Sequence, residues 1–178
     1  RVVTGAQVLR YRLTDTPSQG SVLYLKKVDL SESRYAAFEQ ERIVMQRITG
    51  VDSKIRIIAT MLPKCTYCAN STNYISGCSN QIDLLYLLGV LNSKSINFFF
   101  KQTSTNTNVT SKEIAKFPIL VNVNSIRVIT KLVKEILDLK QRMFDTSALE
   151  NQIDFLVYHL YGLTYDEVLI VDPKTPIS

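Results

Sequence analysis

Residues 41–62 read ERIVMQRITGVDSKIRIIATML, and the fold turns on how this stretch is divided. RIVMQRIT (42–49) and IRIIATML (55–62) are rich in Val, Ile and Leu and partly alternate apolar with polar positions, as half-buried strands do. VLYLK at 22–26 has the same character. Between VLYLK and RIVMQRIT, SESRYAAFEQE (31–41) has the Ala and Glu content of a short helix, with Ser31 or Ser33 as its N-cap. Three strands and a helix make an α+β lobe.

Downstream the period changes. Ile82, Leu85 and Leu88, then Ile96, Phe99 and Phe100, fall at helical spacings, and Gly89 and the Asn92-Ser93 pair interrupt them, which predicts two helical pieces. From Ser125 onward Ile126, Ile129, Leu132, Val133, Ile136, Leu139 and Met143 form an apolar stripe on a helix of about five turns. Ser147 and Glu150 fit a capping box that launches a helix through Ile153, Leu156, Val157 and Leu160, closing at Gly162; Thr164 and Glu167 begin a third, short helix. The expected fold class is α+β: a lobe with a mixed sheet over residues 1–120, then a helical hairpin over 121–178 that packs on the lobe or extends it.

With 178 residues, 46% hydrophobic and 21% charged, the chain can hold one domain with a sizeable core, or one domain and a helical appendage. No apolar run approaches the roughly 20 residues needed to span a bilayer. The chain opens at Arg1 without an initiator Met or a leader, so it reads as a piece of something longer whose activity can lie elsewhere. Three cysteines in a chain of this length point to a reducing cytoplasm, bacterial or archaeal, rather than to a disulfide scaffold. The net charge of +5 is uneven: residues 1–118 hold fifteen Lys or Arg against eight Asp or Glu, and residues 119–178 hold six against eight. A basic lobe joined to a slightly acidic tail suits an anionic partner on the first and protein contacts on the second.

Signatures of catalysis are few. The chain has no glycine-rich phosphate loop, no G-x-S-x-G and no H-E-x-x-H, and its single histidine, His159, lies in an amphipathic helical run. Cys65-x-x-Cys68 with Cys78 supplies three thiols where a structural zinc site needs four ligands, so no metal site is assigned.

Two stretches stand out instead. In 102–111, QTSTNTNVTS, every side chain but Val109 is an uncharged hydrogen-bonding group, held between Phe98 to Phe100 and the Phe117, Pro118, Ile119 knot. Thr110 and Glu113 fit a capping box that ends this run in a short helix, and Pro118 closes the exit. Residues 64–81, KCTYCANSTNYISGCSNQ, repeat the theme with only Lys64 charged. In a lobe that binds DNA, cations neutralise phosphates without reading sequence, whereas Asn, Gln, Ser and Thr exchange directional hydrogen bonds with base edges. Arg42, Arg47, Lys54, Arg56, Lys94, Lys101 and Lys112 flank the polar stretches and are the phosphate candidates.

ERIVMQRITGVDSKIRIIATML, the polar loop after it, LLYLLGVLNSKSINFFFKQTS, EIAKFPI and IDFLVYHLYGLTYDEV occur in an order that resembles the TaqI-like C-terminal specificity domain. That domain is the target-recognition region of N6-adenine DNA methyltransferases and of fused type II restriction-modification enzymes resembling Eco57I. The resemblance covers roughly residues 40–170. It implies a lobe that docks on double-stranded DNA and reads a short sequence through loops, with no chemistry of its own. It also implies a methyltransferase domain in cis that binds S-adenosylmethionine and carries an Asn-Pro-Pro-Tyr motif, which is absent here. Gln46 and Arg47 match the family's Q-R strand position and Asn92, Ser93 and Lys94 its L-N-S-K step, the latter read as structural, with Asn92 or Ser93 capping the following helix. The chain departs from the family in lacking a glycine in 102–111. Asn70, Ser71, Asn73, Thr105, Asn106 and Asn108 are the candidates for base contact. A different class of reading is a protein-interaction module pairing, or self-associating, through the hairpin of 125–160; a weaker third is a small zinc-dependent nucleic-acid binder.

Overall fold

The computed structural model describes residues 1–16, 20–26, 35, 38–77 and 82–175. The N-terminal segment supplies three two-residue strands, β1 (Val2–Val3), β2 (Val8–Leu9) and β3 (Arg12–Leu13), with a 3-10 turn at Gly5–Gln7. β4 (Arg42–Gln46) is then the centre of a three-stranded antiparallel sheet, flanked by β5 (Ala59–Leu62) and β7 (Thr72–Ile75). β6 (Tyr67–Cys68) pairs in parallel with β1. Val44 lies opposite Thr60 on one side and Tyr74 on the other.

β4 is buried on both faces. Ile43 and Met45 join the main core while Val44 joins a smaller one with Val3, Val8 and Leu62. A strand covered on both sides needs apolar residues at successive positions, which is why the alternation in its sequence is only partial. Both long strands are shorter than their apolar runs. β4 stops at Gln46 because the Arg47 N–H turns to the Ser71 carbonyl (3.0 Å) and Ile48 bridges to Asn108. Residues 55–58 stay outside β5 because the Arg56 and Ile57 N–H groups donate to Asn97 Oδ1 (2.7 and 3.4 Å) instead of to a strand. The expected strand at 22–26 reduces to one bridge, Leu23 to Val2, with Val22 to Leu25 exposed. The helix expected over 31–41 lies largely outside the described residues.

The helical pieces follow. α1 (Leu84–Leu91) is capped by Asp83, which accepts from the N–H groups of Leu85 and Tyr86. α2 (Lys94–Thr103) is capped by Ser93, which accepts from Ile96 N (3.3 Å). Between them Asn92 turns inward and pairs both ways with the β5 backbone: its Oδ1 accepts from Ala59 N (3.1 Å) and its Nδ2 donates to Ala59 O (3.0 Å). The break in periodicity is therefore the joint that ties the helices to the sheet.

α3 (Ser111–Ile114) opens with the Thr110/Glu113 capping box. α4 (Val123–Gln141) starts at Asn122, and α5 (Ser147–Leu160) follows antiparallel to it. The expected Ser147/Glu150 box does not form. Thr146 is the N-cap without a side-chain cap bond; the Ser147 N–H goes to Asp145 (3.2 Å), and Glu150 accepts from Thr146 Oγ1 (2.6 Å). Gly162 leaves the helix at φ +64°, a conformation that costs glycine least, and α6 (Tyr165–Val171) opens with the Thr164/Glu167 box.

One core joins the sheet to the helices. Ile43, Met45 and Ala59 share it with Leu88 and Leu91 of α1, Ile129, Val133 and Ile136 of α4, and Ile153 and Val157 of α5. α1 and α4 meet at Gly89, where a Cβ would fall 2.5 Å from an Ile129 methyl and 3.0 Å from one of Val133. The fold is α+β, with the site set where β4 ends.

Candidate nucleic-acid interface

The two uncharged polar stretches come together at Arg47. Its backbone N–H donates to the Ser71 carbonyl (3.0 Å) and its carbonyl accepts from Val109 N (2.7 Å), so one residue joins the 64–77 side to the 102–111 side. The Asn73 amide donates to the Val109 carbonyl (2.6 Å), tying the stretches directly. Val109, the only apolar side chain in its run, is fully buried in the core and anchors the middle of the loop. At the loop's base Phe117 meets Phe99 and Phe100 edge-on, with ring centroids 6.2 and 6.0 Å apart. The Tyr161 hydroxyl donates to the Pro118 carbonyl and that of Tyr86 to the Leu120 carbonyl (2.6 Å), fixing the exit.

Glu113 organises the loop from within. Oε2 accepts from Thr110 N (2.9 Å) and Thr110 Oγ1 (2.8 Å); Oε1 accepts from the Ser104 hydroxyl and the Asn106 amide (3.2 Å). Desolvation pushes this carboxyl up, but the bonds from Ser104, Thr110 and Asn106 outweigh it and hold the pKa at about 2. A loop without glycine is thus held by a carboxylate and a buried valine.

Arg56 closes the arrangement. Only 1% exposed, it donates from Nε to Thr49 Oγ1 (3.0 Å) and from Nη2 to the Asn106 carbonyl, with its guanidinium 4.9 Å from the Phe100 ring centroid. The structure therefore corrects the reading of Arg56 as a phosphate contact: its charge serves the inside of the loop. Arg42 is likewise 2% exposed, donating to the Thr66 carbonyl and lying 5.2 Å from the Tyr74 ring centroid. Lys94 is drawn into the helical side, where Nζ meets Asp172 (2.7 Å), Asp154 (3.5 Å) and Asn151 Oδ1 (3.3 Å), and its backbone N–H donates to Asp154 Oδ1 (2.8 Å). Arg47, Lys54, Lys101 and Lys112 remain exposed.

The candidates for base contact divide in the same way. Asn70, Thr105 and Asn106 are exposed and Asn108 is half-buried, although the Asn106 amide already donates to Glu113. Ser71 is committed to the scaffold: its hydroxyl accepts from Gly5 N (2.8 Å), and a Cβ on Gly5 would lie 2.5 Å from the Ser71 carbonyl oxygen. Asn73 serves as the tie between stretches. Sequence reading did not single out Tyr74, 45% exposed within the 64–81 stretch, as a contact candidate, nor Ile48, which is 62% exposed. The Arg42 charge behind Tyr74 is a cross-strand relation, visible only once the register of β4 and β7 is known.

Among the described residues no three His, Cys, Asp or Glu side chains are grouped to hold a metal ion, and Cys65 and Cys68 are free thiols; Cys78 lies outside them. Among the same residues no helix is long and apolar enough to cross a membrane.

Two uncharged polar segments are thus braced against each other where β4 ends. The chain belongs to the TaqI-like C-terminal specificity domain family, whose model matches residues 1–119. The family is one of DNA-specificity domains of restriction-modification enzymes. The match takes in residues 1–39, where the sequence carries none of the quoted motifs, and stops short of IDFLVYHLYGLT. No curated protein matches the chain.

Proposed function

We propose that this chain is the target-recognition part of a type II restriction-modification enzyme or an adenine-specific DNA methyltransferase, selecting a duplex sequence without performing a reaction itself. The observation that supports the reading is the junction at Arg47, where two neutral hydrogen-bonding segments are braced against each other with Asn70, Thr105 and Asn106 exposed. Segments ordered in advance lose less entropy on contact than free loops, so their hydrogen bonds can favour one base sequence over another. Arg47, Lys54, Lys101 and Lys112 provide the grip; Asn70, Thr105, Asn106 and Asn108 provide the readout.

Residues 1–120 form the recognition lobe in this reading, and residues 121–178 are the helical part that braces it. In this reading, S-adenosylmethionine and the methyl transfer belong to a catalytic domain in cis, as the family resemblance implies. The setting is the cytoplasm of a bacterium or archaeon. Pairing with another chain through the helical hairpin has less support, because Ile129, Val133 and Ile136 of its stripe pack on the chain's own lobe.

Fluorescence anisotropy with labelled duplexes tests the reading. The chain is expected to bind weakly, because base contacts are few and a catalytic domain would grip the other side of the duplex, and salt-sensitively, because its grip comes from cations on phosphates. Lys112→Gln lowers affinity by a similar factor on every sequence. Absence of any salt-dependent binding at low ionic strength overturns the assignment.

A further inference from the structure

Beside the junction at Arg47 lies a cavity of about 290 Å3, lined by Arg42, Arg47, Asn70, Thr72, Tyr67 and Tyr74 among others. Its chemistry is one-sided. Two arginines line it, its lining includes no carboxylate, and no Asp or Glu among the described residues forms an ion pair with either arginine. Arg42 is nearly fully buried, and its Nε has no hydrogen-bond partner among the described residues; its Nη2 donates to the Thr66 carbonyl and its guanidinium lies 5.2 Å from the Tyr74 ring centroid. A guanidinium taken out of water is costly unless its charge and N–H groups are matched. The nearby Cys68 thiol does not supply the missing charge, because burial raises its pKa and keeps it neutral.

Such a cavity calls for an anion. Its volume is just under the roughly 300–1,000 Å3 of pockets that take drug-sized organic ligands, which suits one compact group better than an extended molecule. Arg47 is exposed at the cavity, its Nη1 donating to the Asn70 carbonyl (3.4 Å) and its other N–H groups left for a ligand; the Asn70 amide offers a neutral donor, and the buried Arg42 adds charge, whereas Thr72 spends its hydroxyl and N–H on the Ala69 carbonyl (2.7 and 3.0 Å). The phenol rings give apolar walls against which a sugar can rest.

We infer that this cavity is a phosphate-binding notch that seats one backbone phosphodiester of the bound duplex, with Arg47 as the direct ligand and the buried Arg42 charge behind it. The inference rests on the proposed DNA reading, and it goes further in fixing one phosphate at one place. That contact sets the register of the duplex, so that Asn70, on the rim of the same cavity, meets a defined base step.

The test has two arms. In the first, duplexes drawn from a random-library selection carry a single uncharged methylphosphonate at each linkage in turn, and binding is read by anisotropy. In wild type, neutralising one linkage lowers affinity about tenfold more than neutralising its neighbours. In Arg47→Gln affinity is lowered about tenfold, that linkage loses its special weight, and the slope of log affinity against log salt falls by about 1; Lys54→Gln keeps the linkage effect. In the second arm inorganic phosphate is titrated into the free chain and followed by nitrogen-15 NMR, with saturable shifts expected at the Arg47 side chain and the Asn70 and Thr72 amides.

Should the chain bind no DNA while phosphate shifts those signals, the cavity is a site for free phosphate, and both the DNA reading and the seating of a duplex phosphodiester are overturned. If DNA binds but Arg47→Gln leaves every linkage effect unchanged and phosphate shifts nothing at the cavity, the notch is refuted and the DNA reading stands. A linkage effect without a phosphate shift assigns the site to the phosphodiester alone. Failure of both DNA binding and the phosphate shift removes both proposals.

Discussion

Arg56 and Lys54 sit two positions apart and have opposite roles, which only their surroundings decide. Arg56 joins Thr49, the Asn106 carbonyl and the Phe100 face, so Arg56→Ala strips partners from a buried network and destabilises the fold by about 2–4 kcal/mol in chemical denaturation. Lys54 is exposed, so Lys54→Gln keeps stability within about 0.5 kcal/mol while weakening DNA uniformly across sequences. Equal stability losses in the two variants would contradict the division. Glu113 gives a pH signature. Its folded pKa of about 2 lies below the ordinary 4.5, so the carboxylate stabilises the folded loop fully above about pH 4.5 and loses that contribution as pH falls towards 2. Protection of the amides in residues 104–110, taken as exchange relative to the intrinsic rate at each pH, is expected to fall as pH drops through that window in wild type, and to be lower already at pH 7 and less dependent on pH in Glu113→Gln.

At the scale of elements, the helices were the most legible. The Thr110/Glu113 and Thr164/Glu167 boxes and the break at Asn92-Ser93 form as their spacing predicts, because caps and breaks depend on residues within a turn of one another. Serine at 147 misled because Thr146 and Asp145, equally good capping types, stand beside it, and the chain enters the helix one residue earlier. Strand ends were hidden for a different reason: Asn97 takes the N–H groups of Arg56 and Ile57 from 40 residues away, and no local pattern announces it. Of the short strands near the N-terminus, β1 is held by the distant β6 while β2 and β3 pair with each other, and all three lack the length for a periodic signal. The polar stretches were visible as composition, but which of their side chains brace and which face outward depended on Gly5, Arg47 and Val109. Gly89→Ala tests the joint between α1 and α4. Alanine gains up to about 1 kcal/mol in helix propensity, yet its methyl meets two β-branched side chains that cannot swing away, and the net expectation is a loss of about 1–2 kcal/mol in thermal or chemical unfolding.

For the whole molecule, the family match ends at residue 119 while the core does not. Leu88 and Leu91 of the matched region are covered by Ile129, Val133, Ile153 and Val157 beyond it, and Lys94 is bound to Asp154 and Asp172. Burial raises the Asp154 carboxyl, while the Lys94 backbone N–H, the Arg10 charge and the Lys94 charge pull it down. Lys94→Met leaves that carboxyl deeply buried without its cation, and a loss of about 3–5 kcal/mol is expected in denaturant titration. The central claim, however, concerns readout: neutral side chains on two braced segments choose the sequence while exposed cations hold the duplex. It is tested most directly by selecting preferred sites from a random duplex library with wild type, Asn70→Ala and Thr105→Val. The account predicts that these two variants enrich a different or relaxed base at defined positions with an unchanged salt slope. Recovery of the wild-type site by both variants, at any affinity, would contradict it.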